Sequence, residues 1–173
     1  MMKRELTLTD IAGYLPHNLK VQDRDQDIWE LCQLGNADPC WDGDVGLTTD
    51  NGDCLQYDYL DDIMPVLRPM SDLYVEISER GYNNGKPFVP LVEFAKVRYP
   101  YLTSRRFITD TKYVECAEND SSGWGKWKMY ELELESMSVD ELDLLHRLHL
   151  DYRDLIDAGL AVSVHDLKQN PYE

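Results

Sequence analysis

Ser138-Val139-Asp140-Glu141-Leu142-Asp143-Leu144-Leu145-His146-Arg147-Leu148-His149-Leu150-Asp151-Tyr152-Arg153-Asp154-Leu155-Ile156-Asp157-Ala158-Gly159 carries the strongest local signal in this chain of 173 residues. Ser138 followed three residues later by Glu141 is a capping box, in which each side chain satisfies the other residue's backbone N–H. Leu142, Leu145, Leu148, Tyr152, Leu155 and Ile156 then recur at spacings of three and four, the apolar stripe of an amphipathic helix. Gly159 is a natural left-handed stop. The pattern predicts a helix over 139–158, roughly 30 Å long at ~1.5 Å per residue. Such a helix would cross one face of a small domain and act as its spine.

Upstream, the period changes from helical to strand-like. Thr7-Leu8-Thr9-Asp10 reads as a short opening helix, which Pro16 limits to about two turns. Leu19 to Gln22, Ile28 to Leu34, Val45 to Thr49 and Leu55 to Leu60 are short runs separated by Asp, Gly and Asn clusters, as in an antiparallel meander. Asn51-Gly52 is its clearest hairpin turn. Ser71 to Gly81 suits a connector helix, and Pro90 to Val97 a short helix with Pro in its first turn. Arg105 to Cys116 reads as a strand that pairs with Trp127 to Leu134 across a polar loop, and Leu160 to Val164 as a last short strand. The fold class is therefore α+β: a short helix and β-meander, then a second hairpin packed on the long C-terminal helix. The chain fits one domain, or two lobes over 1–68 and 69–173.

Charge limits what such a fold would bind. The net charge is −16 at pH 7, and it is unevenly placed. Asn36 to Asp62 holds eight Asp and neither Lys nor Arg, and Tyr130 to Asp157 sets nine acids against two bases, whereas Lys86 to Tyr113 has six bases and two acids. Affinity for nucleic acid comes largely from Lys and Arg at phosphates, so direct nucleic-acid binding is not expected. Met1 to Lys20 lacks the pattern of a signal peptide and no apolar run reaches ~18 residues, which predicts a cytoplasmic protein away from membranes. Cys32, Cys40, Cys54 and Cys116 show no two-residue spacing, so reduced thiols are expected.

The side chains that could carry function follow from these segments. Asp42, Asp44, Asp50 and Asp53, with Trp41, form an acidic loop surface suited to a protein partner; the same Asp-Gly clusters are also what hairpin tips use. Trp124 and Trp127, near glycines, form a second candidate recognition loop, since Trp carries much of the binding energy at interfaces. Arg98, Arg105, Arg106 and Lys112 are the basic cluster, suited to an anion or to neutralising their acidic neighbours. His146 and His149, at i and i+3, are weak metal candidates without the spacing of a metalloprotease helix. No nucleotide-binding glycine loop or hydrolase elbow occurs, so no catalytic residue and no cofactor is assigned.

Three stretches carry a resemblance: Leu6 to Pro16 (Leu-Thr-Leu-Thr-Asp-Ile-Ala-Gly-Tyr-Leu-Pro), Asp62 to Leu73 (Asp-Ile-Met-Pro-Val-Leu-Arg-Pro-Met-Ser-Asp-Leu) and Leu148 to Ala161. Together, and in this order, they resemble a family of small uncharacterised proteins encoded by phages and prophages of gut bacteria. The resemblance implies a mobile-element accessory protein in the host cytoplasm and brings no catalytic residues. The expected function is a non-enzymatic one: binding a host or phage protein through the acidic surface. The expected partner is a basic nucleic-acid-binding protein, in the sharpest form a defence effector inhibited by mimicry of nucleic acid. Two other readings are a small-ligand binding protein or enzyme whose pocket takes a phosphate or nucleotide at Arg105, Arg106 and Lys112, and a virion assembly component.

Overall fold

A computed structural model of the chain describes residues 4–35, 43–48, 52–118 and 126–173. It is an α+β protein of two compact units, Met1–Pro69 with His149–Pro171, and Met70–Leu148 with Tyr172–Glu173. Residues 149–171, read from the sequence with the second lobe, thus belong to the first unit.

The first unit opens with α1 (Leu8–Ile11), where the Thr7 N–H and hydroxyl both donate to Asp10 Oδ2, at 3.0 and 2.7 Å. A 3₁₀ stretch over Ala12–His17 follows. The meander then forms as β1 (Lys20–Gln22), β2 (Ile28–Leu34), β3 (Val45–Thr48) and β4 (Cys54–Asp58), each antiparallel to the next. Two further strands complete a six-stranded sheet in the order β4-β3-β2-β1-β5-β9: β5 (Met64–Leu67), antiparallel to β1, and β9 (Val162–Ser163), parallel to β5. Val21, Leu31, Val45 and Leu47 point from the sheet into a core shared with Ile11 and Tyr14. Because the side-chain period of a strand is two, these buried positions fix the register.

Cys32 and Cys54 are joined by a disulfide, so the expectation of reduced thiols fails for this pair. The bond links β2 to β4 although β3 lies between them in the sheet. Gly46 of β3 makes this passage feasible: a Cβ there would stand 3.0 Å from Cys54 Sγ and 3.0 Å from Gln33 Cβ.

The second unit holds α2 (Pro90–Arg98), a three-stranded antiparallel sheet of β6 (Ser104–Ile108), β7 (Tyr113–Ala117) and β8 (Trp127–Tyr130), and α3 (Val139–Arg147). Arg105 to Cys116 is therefore not one strand but a hairpin turning through 109–112, where Lys112 takes the left-handed φ of 56°. Residues 70–74 form only a 3₁₀ turn in place of the connector helix expected over 71–81. Leu91, Phe94 and Leu145 are fully buried and build the core of this unit from its two helices.

The helix predicted over 139–158 spans only Val139–Arg147. Its capping box is present: Glu141 N–H donates to Ser138 Oγ at 3.2 Å, and Ser138 N–H donates to Glu141 Oε2 at 2.8 Å. Ser138→Ala should remove one of these bonds and cost about 1 kcal/mol, read as a lower midpoint in denaturant unfolding. The helix ends because His149 adopts a left-handed φ of 56°. Beyond it the chain runs as an extended partner of Arg68: Arg68 N–H donates to His149 O at 2.7 Å and Asp151 N–H to Arg68 O at 2.8 Å. The buried Asp151 carboxylate then accepts from the N–H groups of Leu155 and Ile156, at 2.9 and 2.7 Å, and nucleates a compact turn. The apolar spacing that imitates a helix over 150–156 is thus used by turns that bury Leu150 and Leu155.

Candidate functional site

The three-stranded sheet of the second unit has two unlike faces. Along a strand, side chains alternate between faces, and Val114 pairs with Tyr130 while Glu115 pairs with Met129. Val114, Cys116 and Tyr130 are buried. On the opposite face Trp127 is 67% exposed and Met129 42% exposed, with Glu115 exposed beside them. Glu131, also exposed, follows at the same alternation just past the end of β8. The acidic run continues into α3: Glu133, Glu135, Asp140 and Asp143 are exposed and no Lys or Arg occurs from 129 to 146.

Beside this run lies a cavity of about 350 Å³, lined by Tyr99, Tyr113, Tyr130, Glu131 and Glu133 and by the pair Arg98 and Glu141. The Tyr99 and Tyr130 rings stand edge to face, centroids 6.0 Å apart and planes at 89°. Glu141 is the structural anchor. Its Oε1 accepts from the Tyr130 hydroxyl at 2.7 Å, and its Oε2 accepts from Arg98 Nη1 at 3.3 Å as well as from the Ser138 N–H. Burial alone would push its carboxyl up, but the Ser138 N–H, the Tyr130 hydroxyl and Arg98 outweigh it, and the group titrates below its ordinary range. Burial, then the Glu141 carboxylate, pushes the Tyr130 phenol up, so it stays a donor. Tyr113 is pushed up by the Glu131 charge and by its hydrogen bond to that carboxylate.

The residues singled out in the sequence lie as follows. Trp41, Asp42, Asp50 and Trp124 fall outside the described residues. Asp44 is exposed, and it also holds the end of the meander: its N–H donates to Asp58 O at 2.9 Å and its Oδ2 accepts from Leu60 N–H at 3.4 Å. Asp53 is exposed. Trp127 opens the exposed face described above. Arg105 and Arg106, adjacent in β6, point to opposite faces of the sheet, so the basic cluster is divided. Arg105 Nη2 donates to Tyr99 O at 2.9 Å, Arg106 sits opposite Glu115 in the register, Lys112 stacks on the Tyr74 ring at 4.7 Å, and Arg98 enters the cavity.

His146 is in the last turn of α3. His149 is buried in the first unit, its Nε2–H donating to His17 O at 2.8 Å, and burial pushes its imidazole down to about 3. Among the described residues, no group of three or more His, Cys, Asp and Glu side chains is placed to hold a metal. None of the described helices is long and apolar enough to cross a membrane.

Tyr99, Tyr113, Glu131 and Glu133 line the site but belong to none of the motifs singled out in the sequence. The alternation Trp127-Lys128-Met129-Tyr130-Glu131-Leu132-Glu133 was a legible signal for the last two, because it places Trp127, Met129, Glu131 and Glu133 in phase. The cavity itself brings together residues from Arg98 to Glu141, which local patterns do not reveal. No protein-family model, curated protein or solved structure matches the chain.

Proposed function

We propose that this chain is a non-enzymatic interaction protein, of phage or prophage origin and acting in the host cytoplasm, that binds a basic host or phage protein. The observation that supports it is the run of an exposed Trp127 and Met129 on one side of β8 into the exposed carboxylates of Glu131 and Glu133, which have no Lys or Arg ion pair among the described residues, with Glu135 exposed in the turn that follows. An exposed Trp supplies contact area at low entropic cost, and a surface of one sign speeds encounter with a partner of the other. In the sharpest form the partner is a nucleic-acid-binding defence effector, and the carboxylates stand where phosphates would.

Affinity capture on the tagged protein from nuclease-treated host lysate, at low and at high salt, tests this reading. A stoichiometric basic protein retained at low salt, released at high salt and displaced by added nucleic acid is the expected result. Retention that is indifferent to salt, or of acidic proteins only, would overturn it.

A further inference from the structure

We propose that the cavity of the second unit is a binding pocket for an organic cation, the ammonium or guanidinium end of a flexible apolar stem. The inference rests on the reading of this surface as one that takes a basic partner, and it names the group that would be inserted.

Three features select a cation. First, the tyrosine rings come from three different elements: Tyr99 follows α2, Tyr113 begins β7 and Tyr130 ends β8. Tyr99 and Tyr113 are half-buried and line the cavity, while the buried Tyr130 packs edge to face with Tyr99 at 89° and 6.0 Å between centroids; a cation is attracted to such ring surface by the ring quadrupole. Second, the charge of the lining is negative: the guanidinium of Arg98 is held by Glu141, and among the described residues no Lys or Arg pairs with Glu131 or Glu133. Each accepts one hydroxyl, Glu131 from Tyr113 and Glu133 from Ser136 at 2.8 Å, and a carboxylate has about four lone-pair sites, so both keep acceptor capacity. An anion entering here would meet these carboxylates. Third, a volume of about 350 Å³ lies at the small end of ligand pockets and admits one side chain or a small amine.

The cation has two sources, a lysine or arginine side chain of the partner protein and a free alkylamine. Titration of the intact protein with n-butylammonium, n-butylguanidinium and, as controls, n-butyrate and n-butanol, read by NMR of the tyrosine rings, tests the site. Both cations should shift Tyr99, Tyr113 and Tyr130 with dissociation constants on the order of millimolar, and the controls should not. The variant E131Q/E133Q, at two exposed positions where folding should be unaffected, should weaken the cations at least about fivefold.

A lysine-rich peptide that competes with butylammonium and binds at least tenfold tighter supports the pocket and identifies a protein side chain as its occupant. Spermidine binding as tightly as the peptide supports the pocket and identifies a free amine. Butyrate binding as well as butylammonium, or cation affinity unchanged in E131Q/E133Q, would overturn the inference. A lysine-rich peptide that binds the protein without displacing butylammonium or shifting the tyrosines would overturn the pocket and leave the basic-partner reading standing.

Discussion

Lowering the pH from 7 to 4 is expected to destabilise the first unit by about 3 kcal/mol through His149 alone. Its imidazole is 1% exposed and donates to the His17 carbonyl, and burial, reinforced by the charge of Arg68, holds it neutral down to about pH 3. In the unfolded chain the same group takes up a proton near pH 6.5. Between those values the unfolded state binds the extra proton, so stability is fully present above pH 6.5 and is lost as the pH falls toward 3. Asp10, held below its ordinary range by Thr7 and Arg4 against the opposing effect of burial, adds a further loss at lower pH. Hydrogen exchange of the β1 and β5 amides across this range measures it. His149→Asn keeps a residue that tolerates the left-handed backbone; it should be less stable at pH 7 but should lose up to ~1.4 kcal/mol per pH unit of the slope. An unchanged slope in the variant would show that His149 is not the acid-sensitive group.

Reduction of the Cys32–Cys54 bond, or the double change Cys32→Ser with Cys54→Ser, should cost roughly 3 kcal/mol, because the bond closes a segment with a sequence separation of 22. Denaturant unfolding with and without reductant reads this directly; a midpoint unmoved by reduction would show that the cross-link contributes nothing. The bond also bears on where the protein works, since a cytoplasm keeps most thiols reduced. In that compartment the sheet would have to hold β2, β3 and β4 together without the cross-link. Alkylation of the protein at the moment of lysis, followed by mass analysis, shows whether Cys32 and Cys54 carry the label.

The meander was legible because alternating apolar residues and Asp-Gly turns mark strands locally, and the observed β1 to β4 lie at or within a residue or two of those runs. The start of α3 was legible for the same reason, since a capping box is a four-residue signal. Its end was not. The spacing of Leu148, Tyr152, Leu155 and Ile156 fits a helix, but the pairing of 149–151 with Arg68 is a tertiary choice that local periodicity does not encode. β5 was hidden by Pro65, which reads as punctuation; the residue stands near the start of the strand, opposite Val21. The disulfide gave no motif because its cysteines meet across an intervening strand, at a Cα separation of 6.0 Å. At the candidate site, Trp127 and the acidic run were visible as composition. The grouping of tyrosines was not, because it is assembled from the end of α2, from β7 and from β8.

The acidic surface is tested most directly by the salt dependence of binding between the captured basic protein and two forms of this chain, the wild type and E131Q/E133Q/E135Q. The wild-type association constant should fall steeply with added salt, and the variant, folded to the same midpoint, should bind at least about tenfold more weakly with a shallower dependence. Equal affinity and equal salt dependence in the two forms would contradict this expectation and would remove these carboxylates from the interface.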